Sequence, residues 1–286
     1  MYDALIIGAG PAGCSAALTL RNRDKSVLVA YTGDGALGLA EKMNNYPGMR
    51  GKTGREMAEI FRREIVDAGA ELRHDKVSHL LDTGDGFSAL VGADVVSARA
   101  VILTMGAARG KALPGEQERV GRGVSYCATC DAMLYRKRPV IVVGTDGESV
   151  DEANFLSHVC SHVTYVSEKP HDLSGLEPAV EVLSGKPGQI SEGNGEKGRK
   201  MALRVGDGQV FGDCVFVLRP TVAPGALLEG LQMDGADIRH DEKMRTSHKN
   251  VYVAGDAAGA PRQAAKAVGD GCIAAYSLVE DQKNAG

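Results

Sequence analysis

The sequence predicts an α/β protein that repeats one nucleotide-binding plan twice. Three observations carry that reading. Short aliphatic runs at 3–8, 27–31, 100–104, 139–143, 162–166, 214–218 and 251–256 read as buried parallel strands. Two of these runs, 3–8 and 139–143, end at a glycine and lead through a helical pattern into a second strand, which is a βαβ opening each time. Glycine supplies 37 of the 286 residues, well above the usual ~7%, with no period of three.

Composition narrows the function classes. At 43% hydrophobic and 24% charged the chain has ample apolar surface to fold, which excludes a disordered protein. A net charge of −4 with acids and bases interspersed gives no support for nucleic-acid binding. No apolar run approaches the ~20 residues of a membrane span. The first ten residues have neither a basic n-region nor a cleavable apolar stretch. The expectation is therefore a cytoplasmic protein with no membrane partner.

Taken in order, the elements are justified as follows. After strand 3–8 comes a helix from about Pro11 to Arg21, then strand 27–31, closed by Thr32 and Gly33. Met57, Ile60, Phe61 and Ile65 share one face of a helix over about 55–68. Alternating segments through 71–100 predict an antiparallel meander, interrupted at 83–86, before strand 100–104. The second copy runs from strand 139–143 through helix 148–160 to strand 162–166. Glycine and charge crowd 184–200, predicting an exposed hairpin or loop. Strand 214–218 is followed by a crossover from Arg219 to Gly225, and strand 251–256 by a closing helix over about 262–279.

The first glycine turn carries chemistry. Gly8, Gly10 and Gly13 fit G-x-G-x-x-G between a strand and a helix, with Pro11 and Ala12 in the helix's first turn. The first glycine permits the tight turn, the second the approach of a pyrophosphate, and the third close helix–strand packing. The helix N-terminus then offers free N–H groups to phosphate. Thr32 and Gly33 stand where a ribose-binding acid would sit in a simple NAD site, so FAD is the better match. The Val253–Asp256 turn supports this, because Gly255 allows a tight bend and Asp256 can accept from a sugar or ribityl hydroxyl. The helix opening at Arg262, Gln263 and Ala264 would set its positive dipole end beside the N1 side of a reduced flavin ring.

Six cysteines are too few for a disulfide scaffold. Cys14, Cys160, Cys214 and Cys272 read as small core residues. Cys127 and Cys130 form one C-x-x-C, a spacing that closes into a small disulfide, and Asp131 beside it can protonate a leaving thiolate. A structural zinc site needs four ligands, and no second C-x-x-C or H-x-x-x-H accompanies the pair. His158 and His162 are four apart, but His162 begins a strand. No metal is expected.

With these pieces in place the chain resembles the low-molecular-weight thioredoxin reductases of the flavin disulfide reductase group. The resemblance rests on GAGPAG at 8–13, NYPG at 45–48, GRGVSYCATCD at 121–131, AGD at 254–256 and RQA at 262–264. It implies two Rossmann-like, three-layer ββα domains, the second inserted into the first. The FAD domain would comprise 1–112 with 220–286, and the inserted unit 113–219 would carry the dithiol. It further implies that Asn45, Val77 and Gly106 join the flavin site, that Cys130 faces the flavin, and that Cys127 attacks the thioredoxin disulfide with Asp131 as acid. A homodimer and a thioredoxin-like acceptor are likewise implied.

The inserted unit departs from that family. Where the family's NADPH turn has its central glycine, this chain has Asp146, whose carboxylate repels a pyrophosphate. After the next strand stand Ser167, Glu168, Lys169 and Pro170, with no arginine to hold a 2′-phosphate. Glu168 has the wrong sign for NADPH, although an acid there suits the 2′-hydroxyl of NADH. The reading that follows is a reductase with a donor other than NADPH, similar to ferredoxin-dependent flavin thioredoxin reductases and deep-branching cyanobacterial forms. Ferredoxin is acidic, so Arg136, Lys137 and Arg138, or Lys197, Arg199 and Lys200, are its candidate docking clusters. Two alternatives stand beside it: an NAD(P)H-dependent reductase with a divergent site, and a non-enzymatic flavoprotein redox sensor.

Overall fold

The computed structural model describes residues 1–106, 112–193, 200–219 and 224–284. The chain divides into two compact units, Met1–Arg109 with Ala223–Gly286, and Gly110–Val222. In the first unit β1 (Ala4–Ile7) leads to α1 (Pro11–Arg21), β2 (Val27–Ala30), α2 (Gly54–Asp67) and β3 (Glu71–Arg73). Then come β4 (Val77–Asp82), β5 (Phe87–Val91) and β6 (Asp94–Ala98), an antiparallel sheet of their own, and β7 (Val101–Leu103). The expected meander is therefore only partly antiparallel: β3 pairs in parallel with β2 through Val29 and Leu72. Its Leu72 packs against the main core, which draws the segment into that sheet.

The inserted unit starts with β8 (Val124–Ser125), the one-turn helix α3 (Ala128–Asp131), β9 (Pro139–Gly144), α4 (Gly147–Val159), β10 (His162–Ser167) and β11 (Val180–Val182). It continues with β12 (Pro187–Glu192), β13 (Met201–Val205), β14 (Gly208–Gly212) and β15 (Cys214–Leu218). Its parallel sheet has the order β11-β10-β9-β15-β8, with β12-β13-β14 as a separate antiparallel sheet. The stretch read as an exposed hairpin or loop thus contains β12, held because Ile190 is fully buried and its N–H donates to Pro114 O at 2.8 Å. Residues 194–199 lie outside the described part of the structure.

The closing segment returns to the first unit with α5 (Pro224–Leu227), a short β16–β17 hairpin (Met233–Asp234 and Asp237–Ile238), β18 (Val251–Val253) and α6 (Ala264–Asn284). Residues 220–223 of the predicted crossover lie outside the described residues. The first unit's parallel sheet has the order β18-β7-β1-β2-β3. One face packs on α1, α2 and α6 through Ala4, Ile6, Val29, Leu20, Ile65 and Leu278. Helices α1 and α6 approach closely: Ser15 Oγ donates to Val268 O at 2.7 Å, and a Cβ on Gly271 would overlap the Ala12 carbonyl. Two boundaries differ from expectation. The last strand stops at Val253, because Gly255 takes a left-handed φ of +75° and opens a 3-10 turn. The closing helix begins at Ala264, after a turn through Pro261, and reaches Asn284.

Candidate functional site

The first-unit site forms where β1, β7 and β18 end side by side, at the carboxyl edge of a parallel sheet, the usual ligand-binding edge of such folds. Each glycine of the first turn has its own physical reason. Gly8 has φ +118°, and a Cβ there would overlap the Thr104 carbonyl oxygen. A Cβ on Gly13 would overlap the Gly8 carbonyl. Gly10, the N-cap of α1, has nothing within 4 Å of where a Cβ would stand. Two glycines therefore shape the turn, and the third keeps open the approach to the first turn of α1, where Pro11 and Ala12 lie. An open, positively polarised helix N-terminus bare of side chains fits the pyrophosphate of FAD.

The remaining predicted positions fall as follows. Gly106 (φ +80°) and Gly33 also face open space, just past β7 and β2. Thr32 lies beside Gly33, and the next acid, Asp34, is engaged by Arg62 at 2.7 Å. Asn45 donates to Gln263 Oε1 at 2.7 Å, joining two predicted positions that are 218 residues apart. Arg262 pairs with Asp237 at 2.8 Å, and Ala264 is the first residue of α6. Val77 is buried at the start of β4, paired with Val91. Asp256 lies in the 3-10 turn opened by Gly255.

Sequence reasoning missed the residues that hold these turns. Thr104, at the end of β7, donates to Gly8 O at 2.8 Å. Asp270 accepts from the Gly255 N–H at 3.1 Å and is paired with Lys266 at 2.8 Å. The clue for Thr104 was a polar residue ending the aliphatic run 100–103. The Asp270 contact had no local signal.

In the inserted unit Cys127 is buried just beyond β8. Its N–H donates to Ser125 Oγ at 3.2 Å, and its sulfur lies 3.4 Å from Thr129 Oγ1. Ser125 Oγ donates to Asp131 Oδ2 at 2.7 Å, so one hydroxyl positions both the first cysteine and the acid. Cys130 belongs to α3, and its side chain lies outside the described part of the structure. Cys14, Cys160 and Cys214 are buried as expected, and burial pushes the Cys14 thiol up to about 12 and the Cys160 thiol up to about 11. Cys272 is only half-buried. His158 and His162 pair with Glu177 and Glu181 rather than with one another, and among the described residues no cluster suits a metal ion.

In the second glycine turn, polar groups of the chain bond to one another. Asp146 caps α4 by accepting from the Ser149 N–H at 3.0 Å, while Ser149 Oγ accepts from the Asp146 N–H at 3.2 Å. Ser149 Oγ shares a 2.7 Å hydrogen bond with the hydroxyl of Tyr165, and a Cβ on Gly144 would overlap that hydroxyl. Glu168 follows directly after β10. Its carboxylate is held by Arg219 in a two-point contact, Nε–Oε2 2.7 Å and Nη2–Oε1 3.1 Å.

Fold and site together define a class: a two-unit α/β oxidoreductase with one open dinucleotide turn and a Cys-Ala-Thr-Cys-Asp turn on its second sheet. The chain belongs to the pyridine nucleotide-disulphide oxidoreductase family, whose pattern matches residues 2–186 and 189–271. It is similar to the thioredoxin reductase of Listeria monocytogenes, with 31% identity covering 99% of this chain and 95% of the relative. Among solved structures it is similar to a ferredoxin-flavin thioredoxin reductase from Clostridium acetobutylicum, with 35% identity, a TM-score of 0.90 and coverage of 99% and 98%. A thioredoxin reductase from Gloeobacter violaceus matches with 31% identity, a TM-score of 0.81 and coverage of 99% and 94%. The protein is an FAD-binding flavoprotein and a thioredoxin reductase-like flavin disulfide oxidoreductase.

Proposed function

We propose that this protein passes electrons from FAD through a Cys127/Cys130 dithiol to the disulfide of thioredoxin or a thioredoxin-like protein, and takes them from a donor other than NADPH. The observation that carries the donor reading is the second turn, where Asp146 stands at the N-cap of α4 with its carboxylate bonded to the Ser149 amide, at the position Gly10 leaves bare in the first turn. An acidic one-electron protein such as ferredoxin suits this arrangement. The similarity to the Clostridium acetobutylicum enzyme supports it, as does the exposed run Arg136, Lys137 and Arg138, of which Arg138 lies 3.8 Å from Asp213. Of the second cluster, Lys197 and Arg199 lie outside the described residues. We place the protein in the cytoplasm, where a dithiol can cycle, and as a homodimer.

FAD, when bound, supplies a carrier that accepts electrons singly or in pairs and delivers two to a disulfide. The open turn at Gly10 and the first turn of α1 would hold its pyrophosphate, with Asp256 toward a hydroxyl and Asn45 and Gln263 beside it. In the acceptor half-reaction the Cys127 thiolate attacks one sulfur of the partner disulfide. A mixed disulfide forms, and the other partner sulfur leaves as a thiolate that takes a proton, with Asp131 as the acid. Cys130 then attacks Cys127, which closes the protein's own disulfide and releases the second partner thiol. Two electrons have passed to the partner.

The competing reading, an NAD(P)H-fed reductase, draws on the family's pyridine-nucleotide name and its match across the inserted unit. Anaerobic mixing with NADPH and with NADH, followed at about 450 nm, decides between them. The expected result is no prompt bleaching by either nucleotide at micromolar levels, and prompt bleaching by one of them overturns the donor reading. After chemical reduction of the flavin, thioredoxin thiols should appear with wild type and not with Cys127→Ser. An unchanged thiol yield in that variant overturns the dithiol route.

A further inference from the structure

Tyr126, the residue before Cys127, is tied to a buried charged network. Glu116 Oε1 accepts from Arg219 Nη1 at 2.8 Å and from the hydroxyl of Tyr126 at 3.0 Å, and Oε2 accepts from the Leu113 N–H at 2.7 Å. Arg219 in turn holds Glu168. The three charged side chains are 0%, 9% and 13% exposed, for Glu116, Arg219 and Glu168 respectively. Two carboxylates and one guanidinium give a net charge of −1 inside the unit. Such a group is costly to bury, and well-packed apolar residues of similar volume would often be as stable. Stability alone does not account for such a group.

The geometry supplies a use for it. Tyr126 immediately precedes Cys127, and both follow β8. We propose that Glu116 and Arg219, acting through Tyr126, are positioning residues for Cys127, and that their charges set how readily the dithiol is reduced. The proposal rests on the reductase reading above. Cys127 is then fixed from two sides: Ser125 holds its N–H, and the phenol of the residue before it is tied to a buried carboxylate that an arginine keeps in place. The other polar groups around this turn are Thr129, Asp131 and, beyond Asp131, Tyr135 and Cys214. Reduction of the disulfide takes two electrons and yields two thiols, which form thiolate as the pH nears the ordinary thiol range of about 8.5. A nearby uncompensated carboxylate opposes that thiolate, and the arginine favours it.

The test uses the full-length FAD-loaded protein equilibrated at pH 8.5 against mixtures of reduced and oxidised dithiothreitol, with free thiols counted by mass after alkylation. Glu116→Gln removes one negative charge and should make the pair several-fold easier to reduce. Arg219→Gln should shift the same equilibrium several-fold the other way. Tyr126→Phe deletes only the tether, and should change the rate of reaction with dithiothreitol several-fold at unaltered flavin content. If Arg219→Gln loses its flavin or unfolds, the other two variants carry the test. Equilibria and rates equal to wild type overturn the proposal, and so do charge variants that shift in the same direction, which is what simple loosening produces. A wild-type pair inert at every ratio overturns the reductase reading, and the proposal with it.

Discussion

The Asp146 carboxylate and the Ser149 amide N–H are 3.0 Å apart, and the Asp146 N–H donates in return to the Ser149 hydroxyl. In a dinucleotide-binding turn the amides at this helix end point at phosphate oxygens. Here a side chain of the protein provides the acceptor for one of these amides, that of Ser149.

Asp146→Ala should therefore cost about 1 kcal/mol of stability, the usual loss for an N-cap. Chemical denaturation measures it. NADPH should still fail to bleach the flavin in this variant, because the residues after β10, Glu168, Lys169 and Pro170, still offer no arginine for its 2′-phosphate.

Two glycines of the first turn, Gly10 and Gly13, should separate folding from cofactor retention. Gly13→Ala forces a Cβ into the Gly8 carbonyl, so both the unfolding midpoint and the flavin content should fall. Gly10→Ala meets nothing within 4 Å, so the protein should fold as wild type and bind FAD more weakly. The ratio of flavin to protein absorbance, read beside the unfolding curve, distinguishes the two.

Ser125→Ala removes the donor to Asp131 and the acceptor of the Cys127 N–H together. Losing both contacts frees the first cysteine and the acid from their positions, so the thiol–disulfide step should slow about tenfold. Single-turnover transfer from chemically reduced protein to thioredoxin measures this, and flavin content should not change.

The Asp281 carboxyl is held below the usual carboxylate range, chiefly by its hydrogen bond from Arg245 and despite partial burial. A depressed folded-state pKa contributes stability above the unfolded value of about 3.9, and loses it as pH falls through the folded value. Asp281→Asn should thus be less stable than wild type at pH 7, and the gap should narrow on acidification. Denaturation midpoints at pH 7 and at pH 3 to 4 check the sign.

The central parallel strands, β1, β2, β7, β9, β10, β15 and β18, were legible because they are buried apolar runs, whereas the short outer strands β3, β8 and β11, with β3 and β11 largely exposed, were not. The first glycine turn was legible for a similar reason: its geometry is set by residues adjacent in sequence. The antiparallel sheet containing β12 was not, because Ile190 is the one large apolar residue in a strand otherwise of glycine, proline and polar residues. Nor was the fate of Glu168, whose partner lies 51 residues away, or of Glu116, 103 residues from Arg219. A sequence shows that an acid is present, and the fold decides what neutralises it.

Glu116 and Arg219 stand near the two ends of the inserted unit, which begins at Gly110 and finishes at Val222. Their ion pair makes the insertion a closed ring in its own right. The loop they close spans 103 residues, and closing it costs only slightly more entropy than closing one half as long. The length of chain inside that loop can therefore change with little effect on the cost of closing it, so the pair tolerates insertions and deletions between its members.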